Sequence, residues 1–257
     1  MGNFHAEPVK ERSNYYTIKK GEDGRTAFRL KTSSQDPQAQ ARPYKNPKTG
    51  EEGVAYERAF ASLNGIIEDI QFTENSLADK TILRSININL GTDDDGVAQV
   101  ISLPQDSRFA ADFLRKLPNI KLNEEVRFAP HDYEKEGRRK VGIYIDHRNP
   151  ETERFDVNVL DYFTKFEEKD GKWIVTNLHG MPDATEDDKE DWPFYFKKVE
   201  KFLINYTKEN ILPKFAGERH LTANEVAPRN NEIDRDNPSQ SIDDAFEKAF
   251  PNDEPPF

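Results

Sequence analysis

Lysines and arginines interleaved with tyrosines recur in two stretches of this chain, and that pairing of residue types has a chemistry. A cation holds a phosphate by charge and hydrogen bonding, while an exposed ring stacks on a base of any identity, contributing about 1–3 kcal/mol per base. The first stretch offers Tyr15, Tyr16, Lys19, Lys20, Arg29, Lys31, Tyr44, Lys45 and Lys48. The second offers Arg127, Tyr133, Lys135, Arg138, Arg139, Lys140 and Tyr144, around a loop at 134–140. Asn87 and Asn89 sit two apart on a predicted strand, so they share a face and can line the same groove. A charge run is commonly a solvated face with no ligand, and composition by itself leaves both readings open.

Other chemistries find little footing. Asp93-Asp94-Asp95 lacks the spaced further carboxylate of a calcium loop and reads as a turn. His5, His131, His147, His179 and His220 share no metal-ligand spacing and no helix face. No Gly-rich phosphate loop, nucleophile elbow or metal-hydrolase signature is present. No catalytic residue and no cofactor is predicted, and nothing argues for an enzyme.

The last five residues carry a different signal. Asp253, Glu254, Pro255, Pro256 and Phe257 form a stiff acidic peptide whose terminal ring and α-carboxylate lie on one residue. A pocket with an apolar floor and a basic rim can catch both together. Proline lowers the entropy lost on docking, because the extended segment is already near its bound shape.

Charge is segregated along the chain. The total is −11 over 257 residues, which argues against a nucleic-acid partner until it is resolved by region. Residues 10–48 are net +6, residues 183–191 net −5 and residues 218–257 net −6. A groove responds to its local field, so an acidic total does not exclude a basic cleft. Hydrophobic residues make up 35% and mean hydropathy is −0.91, which predicts a compact body with polar loops or tails. No apolar run approaches the roughly 18 residues of a membrane span. The N-terminus lacks a signal layout and the chain has no cysteine; a cytoplasmic protein is predicted, or one in the host cytoplasm if phage-encoded.

The elements that must position these residues follow from periodicity. Tyr15–Lys20 and Arg25–Lys31 flank the turn Gly21–Gly24, and Phe28 and Leu30 alternate with Arg29 and Lys31. Residues 33–53, with three prolines and few apolar side chains, read as a long mobile loop. Ala59 to Phe72 reads as a long strand bent at Asn64-Gly65. Thr81–Leu90 puts Ile82, Ile86, Ile88 and Leu90 on one face; a turn at Asp93–Gly96 and a strand at Val97–Leu103 follow. A helix capped at Asp106 or Ser107 presents Phe109, Phe113, Leu114 and Leu117 and stops at Pro118. Glu125–Tyr133 and Lys140–His147 form a last strand pair, with Tyr144 opposite in parity to Val141, Ile143 and Ile145. Strands at Phe155–Leu160 and Trp173–Thr176 and a helix over Asp191–Leu212, with Trp192, Tyr195, Phe196, Val199, Leu203 and Tyr206 as its stripe, complete the body. From about Glu218 periodicity ends, and a disordered acidic tail is predicted.

The C-terminal tip resembles that of single-stranded DNA-binding proteins, which in bacterial members runs acid-acid-apolar-Pro-Phe and in several bacteriophage members is an acidic stretch closing on Phe. The match covers the tip alone, with Pro255 where the bacterial pattern has a larger apolar residue. The strand order resembles the OB-fold, a five-stranded Greek-key barrel with its helix between the third and fourth strands. The expectation is therefore a mainly β chain: residues 1–55 a hairpin and basic loop packed on the barrel, 56–150 the OB-fold core, 151–217 a strand and helix extension, 218–257 the tail. The resemblance implies binding of single-stranded DNA without strong sequence preference in replication, recombination or repair. It implies recruitment of a polymerase, helicase, primase or nuclease through the tip, and a tail that sits in the basic groove until DNA displaces it. A homodimer is compatible with this. The rival reading is a protein-interaction or DNA-mimic module that binds a replication enzyme and never touches DNA.

Overall fold

The computed structural model describes residues 13–21, 23–45, 51–76, 80–135, 137–169, 172–185, 188 and 191–218. Lys48 and the tip, Asp253 through Phe257, lie outside them.

The predicted hairpin forms first. Strand β1 (Ser13–Lys20) pairs with β2 (Thr26–Thr32), placing Tyr16 opposite Leu30 and Ile18 opposite Phe28. Gly24 takes a φ of 75° in the turn, a region open to glycine at no steric cost. Residues 33–53 are not one loop: β3 (Gln40–Lys45) runs along β4 (Glu52–Phe60). Pro43 conceals this strand in the sequence, yet β3 is the last strand of its sheet, where a missing N–H breaks no ladder.

The long strand expected from Ala59 to Phe72 is divided into the end of β4, then β5 (Leu63–Gly65) and β6 (Asp69–Ser76). Its anticipated change of partner does occur. β5 pairs with β9 (Val126–Lys135), and β6 with β7 (Ile82–Thr92). Gly65 makes the crossing possible, since a Cβ there would stand 2.8 Å from that of Leu90. β7 pairs with β8 (Ala98–Pro104), and β8 takes β1 as a parallel neighbour. The large sheet thus has seven strands in the order β3-β4-β2-β1-β8-β7-β6, joining the N-terminal hairpin to the later strands.

Helix α1 (Arg108–Lys116) is capped by Ser107, whose Oγ accepts the Ala110 N–H at 3.1 Å. A 3-10 turn at Leu117–Asn119 leads to β9. The second sheet reads β11 (Phe155–Asn158), β10 (Arg138–Arg148), β9, β5. Among the described strands no ladder joins β8 to β10, so none closes a barrel. The edge of β10 is met differently. Pro130, opposite Ile143, has no N–H, so the polar groups of Ile143 face away from β9. The Ile143 N–H donates to Asp112 Oδ2 at 2.7 Å, and Lys116 Nζ donates to the Ile143 carbonyl at 2.8 Å. Two side chains one helical turn apart stand in for a missing strand.

Between the sheets lie Phe28, Ile86, Ile88, Ile101 and Leu103 from one side, and Val126, Phe128, Ile143 and Ile145 from the other, with Phe113, Leu114 and Leu117 of α1 closing the end. All are essentially inaccessible, and truncating any of the phenylalanines to Ala costs about 3–5 kcal/mol. Ile82 departs from its predicted face: at the far end of β7 it is 45% exposed.

Beyond β11, β12 (Thr164–Lys169) and β13 (Lys172–Asn177) form a separate hairpin, the first of the pair unanticipated. Helix α2 (Trp192–Asn210), capped by Asp191, buries Tyr195, Val199, Leu203, Ile204 and Thr207. Short α3 (Leu212–Glu218) packs beside it with Phe215 buried. No described helix is long and apolar enough to cross a membrane.

Candidate nucleic-acid interface

Strand alternation sorts the first basic stretch. Phe28, Leu30, Tyr16 and Ile18 point into the core, so their neighbours point out. Register carries the outward face across the sheet: Arg42 and Tyr44 on β3, Glu57 on β4 opposite Lys31 of β2, Arg29 opposite Thr17, and Lys19 and Tyr15 on β1. It continues through Val100 and Ser102 on β8 to Asn89 and Asn87 on β7. Tyr15, Lys19, Arg29, Lys31, Tyr44, Asn87 and Asn89 therefore meet on one sheet face, the cations and rings at one end and the amides at the other.

Tyr15 and Tyr44 are 52% and 47% exposed. A Cβ on Gly53 would stand 2.8 Å from Cε1 of Tyr44; the glycine lets that ring lie against the sheet. Glu57 lies among these cations, and Asp23 stands near Arg29 at the hairpin turn. The Glu57 side chain is 6% exposed and accepts from Lys19 Nζ at 2.6 Å and Arg42 Nη2 at 3.3 Å. Burial pushes this carboxyl up, but the hydrogen bonds and charges of Lys19 and Arg42 outweigh it and hold it below its ordinary range. Arg29 Nη1 donates to Gln40 Oε1 at 2.9 Å. The pairs fix where the guanidinium and ammonium groups lie while leaving further donors on each.

Tyr16 does not belong to this set. It is 6% exposed, packs edge-on against Phe60 and donates to Gln99 Oε1 at 2.6 Å. Adjacent positions on a strand face opposite ways, so Tyr15 and Tyr16 cannot both reach one ligand. Lys45 falls opposite Glu52 at the end of β3. Arg42 was missed, and its signal was the alternation Gln40-Arg42-Tyr44, masked by Pro43.

The second stretch assembles on β9 and β10, with a different outcome. Tyr133 and Tyr144 bring their hydroxyls within 3.3 Å, and the His131 ring lies 4.2 Å from that of Tyr144, tilted by 30°. Arg127 donates to Asp146 at 2.6 and 3.2 Å and lies over the Phe155 ring. Arg139 grips Asp132 in a two-point bridge of 2.8 and 2.7 Å. That bridge, with Lys20 and Arg108 nearby, holds the Asp132 carboxyl below its usual value. Lys140, predicted to touch DNA, stands opposite Tyr133 in the ladder, is 3% exposed and offers no surface charge. Lys135 is exposed near the turn; Arg138 stands opposite it. The described residues contain no group of histidines and acids able to hold a metal ion. No protein-family model matches the chain, and neither does any curated protein or solved structure.

Proposed function

We propose that this protein binds single-stranded DNA, without strong sequence preference, across the outer face of the seven-stranded sheet. The observation that carries the reading is the meeting of Lys19, Arg29, Lys31 and Arg42 with two exposed tyrosine rings and with Glu57, whose charge Lys19 and Arg42 neutralise. Such a face tracks phosphates by charge and stacks unpaired bases on its rings, whereas a duplex keeps its base faces hidden. The strands β5 to β10 with α1 are an OB-like arrangement in which the N-terminal hairpin occupies the edge of β8. The protein acts in replication or recombination, and its tip, Asp253 to Phe257, recruits a replication enzyme. The net charge of −11 favours the rival reading, an interaction module that never touches DNA.

Fluorescence anisotropy with labelled oligo-dT and a matched duplex decides between them. The expected result is preference for the single strand and a log–log salt slope of about −2 to −3, from three or four neutralised phosphates. Absence of binding, a flat salt response or preference for duplex would overturn the proposal. Removing residues 253–257 leaves oligo-dT affinity equal or tighter and abolishes capture of a replication enzyme; weakened DNA binding would contradict the role given to the tip.

A further inference from the structure

Helix α2 carries a second basic surface that nucleic-acid binding does not use. Phe194, Lys197, Lys198, Lys201, Asn205 and Lys208 recur at helical spacing and are all exposed, a stripe opposite the buried Tyr195, Val199 and Leu203. One of its lysines, Lys198, is already paired with an acid, Asp188, which leaves Lys197, Lys201 and Lys208. Glu200 is turned aside, accepting from Gln105 Nε2 at 2.9 Å, and Glu209 lies at the margin of the last turn. The stripe is fixed in place at both ends. Lys198 Nζ donates to Asp188 at 2.6 Å and lies 4.7 Å above the Phe194 ring, while Lys208 Nζ lies 5.0 Å above Phe72.

Phe72 belongs to the inward set of β6, paired with Ile86. Helix α2 is therefore on the core side of the large sheet, with Lys19, Arg29, Lys31 and Arg42 on the other. A strand lying across the outer face does not meet these lysines, so a different polyanion must suit them. The chain supplies one. Residues 219–257 follow α3 directly and carry nine acidic against four basic residues, net −5. That segment follows directly on α3, which packs on α2. Covalent tethering sets an effective concentration of order millimolar, enough for a weak charge-complementary contact to be occupied.

We propose that the acidic segment between Glu225 and Glu247 docks on the Phe194–Lys208 face of α2 within the same molecule. The seat expected from the sequence, the basic groove itself, is then left open to DNA, and Phe257 is held clear of the body. The inference stands apart from the DNA-binding reading, since it concerns the opposite side of the sheet.

Zero-length carbodiimide coupling of the full chain at low micromolar concentration, followed by peptide mapping, tests it. Isopeptide links are expected from Lys197 or Lys201 to Asp234, Asp236, Asp243, Asp244 or Glu247. They are expected in the monomer band and reduced at least about fivefold at high salt, where exposed ion pairs are screened. In the variant K197E/K201E, with its fold checked by circular dichroism, links from the segment to the remaining stripe lysine Lys208 should fall to the same extent, and added oligo-dT should leave the links of the unaltered chain unchanged. Links from the segment to Lys19 or Lys31 instead, links only between two copies, links undiminished in K197E/K201E, links lost on adding oligo-dT, or none at all would each overturn the proposal.

Discussion

Two regions of this protein carry arginines beside tyrosines, and they differ in where their carboxylates fall. On the outer face of the large sheet, Lys19, Arg29, Lys31 and Arg42 lie around Glu57, which is shared between Lys19 and Arg42, with Asp23 near Arg29 at the turn. On β9 and β10, Arg127 and Arg139 each have an acid of their own, Asp146 and Asp132. The first face keeps a positive field that a polyanion can use; on β9 and β10 the bridges tie the strands together, with Lys20 and Arg108 also standing near Asp132. Counting cations in a stretch of sequence therefore misjudges the charge on offer, because register decides which acid each cation meets.

That contrast is sharpest under charge reversal. The triple variant R29E/K31E/R42E should lose about 100-fold or more in oligo-dT affinity at low salt, because three phosphate contacts become repulsions. The double variant R127E/R139E should shift affinity less than about threefold, and a comparable loss there would erase the distinction. Stability should respond in the opposite sense. Arg139→Ala leaves the Asp132 carboxylate, 6% exposed, without its two-point partner and should cost about 1–2 kcal/mol in urea titration. Lys31→Ala, on an exposed site, should cost less than about 0.5 kcal/mol. Among the rings, Tyr44→Ala should weaken oligo-dT binding about five- to tenfold through lost stacking, and Tyr133→Ala about twofold or less.

The smallest expected effect is the response to mild acid. His147, on β10, has its pKa lowered, first by burial, with the nearby Lys121 adding to it against the pull of Glu124. Its Nε2 accepts the Lys121 N–H at 3.3 Å, which fixes the neutral form. The unfolded chain takes up the proton near pH 6.5, so this histidine's contribution is complete above that pH and is lost as pH falls toward the depressed folded value. Glu57 and Asp132 are shifted below 4.5 and 3.8, and their contributions fade only in stronger acid. A fall in Tm between pH 7 and pH 5 that His147→Gln removes would place this sensitivity in the smaller sheet; an unchanged slope in that variant would contradict it.

Local signals carried the elements and failed at their neighbours. The β1–β2 hairpin was legible because a glycine turn separates two alternating runs, and α1 because Ser107 and Pro118 punctuate it. The sheet switch at Gly65 was legible from one glycine in an apolar run. β3 was hidden by Pro43, tolerable only on an edge strand, which no local pattern reveals. The parallel pairing of β1 with β8 joins residues more than eighty positions apart and leaves no turn behind to mark it. For the same reason the Asp112–Lys116 clasp on Ile143 could not be foreseen. Tyr15, Tyr16, Arg29 and Lys140 were grouped by composition, which shows neither that Tyr16 faces the core nor that Lys140 is buried.

One titration bears most directly on the central claim that the large sheet's outer face is the binding surface. Nuclear magnetic resonance of the full, isotope-labelled chain with increasing oligo-dT reports which residues sense the ligand. The account predicts the largest shifts at Lys19, Arg29, Lys31, Arg42 and Tyr44, with Tyr133 and Arg139 little changed. Shifts concentrated on β9 and β10, or none at saturating oligonucleotide, would contradict it.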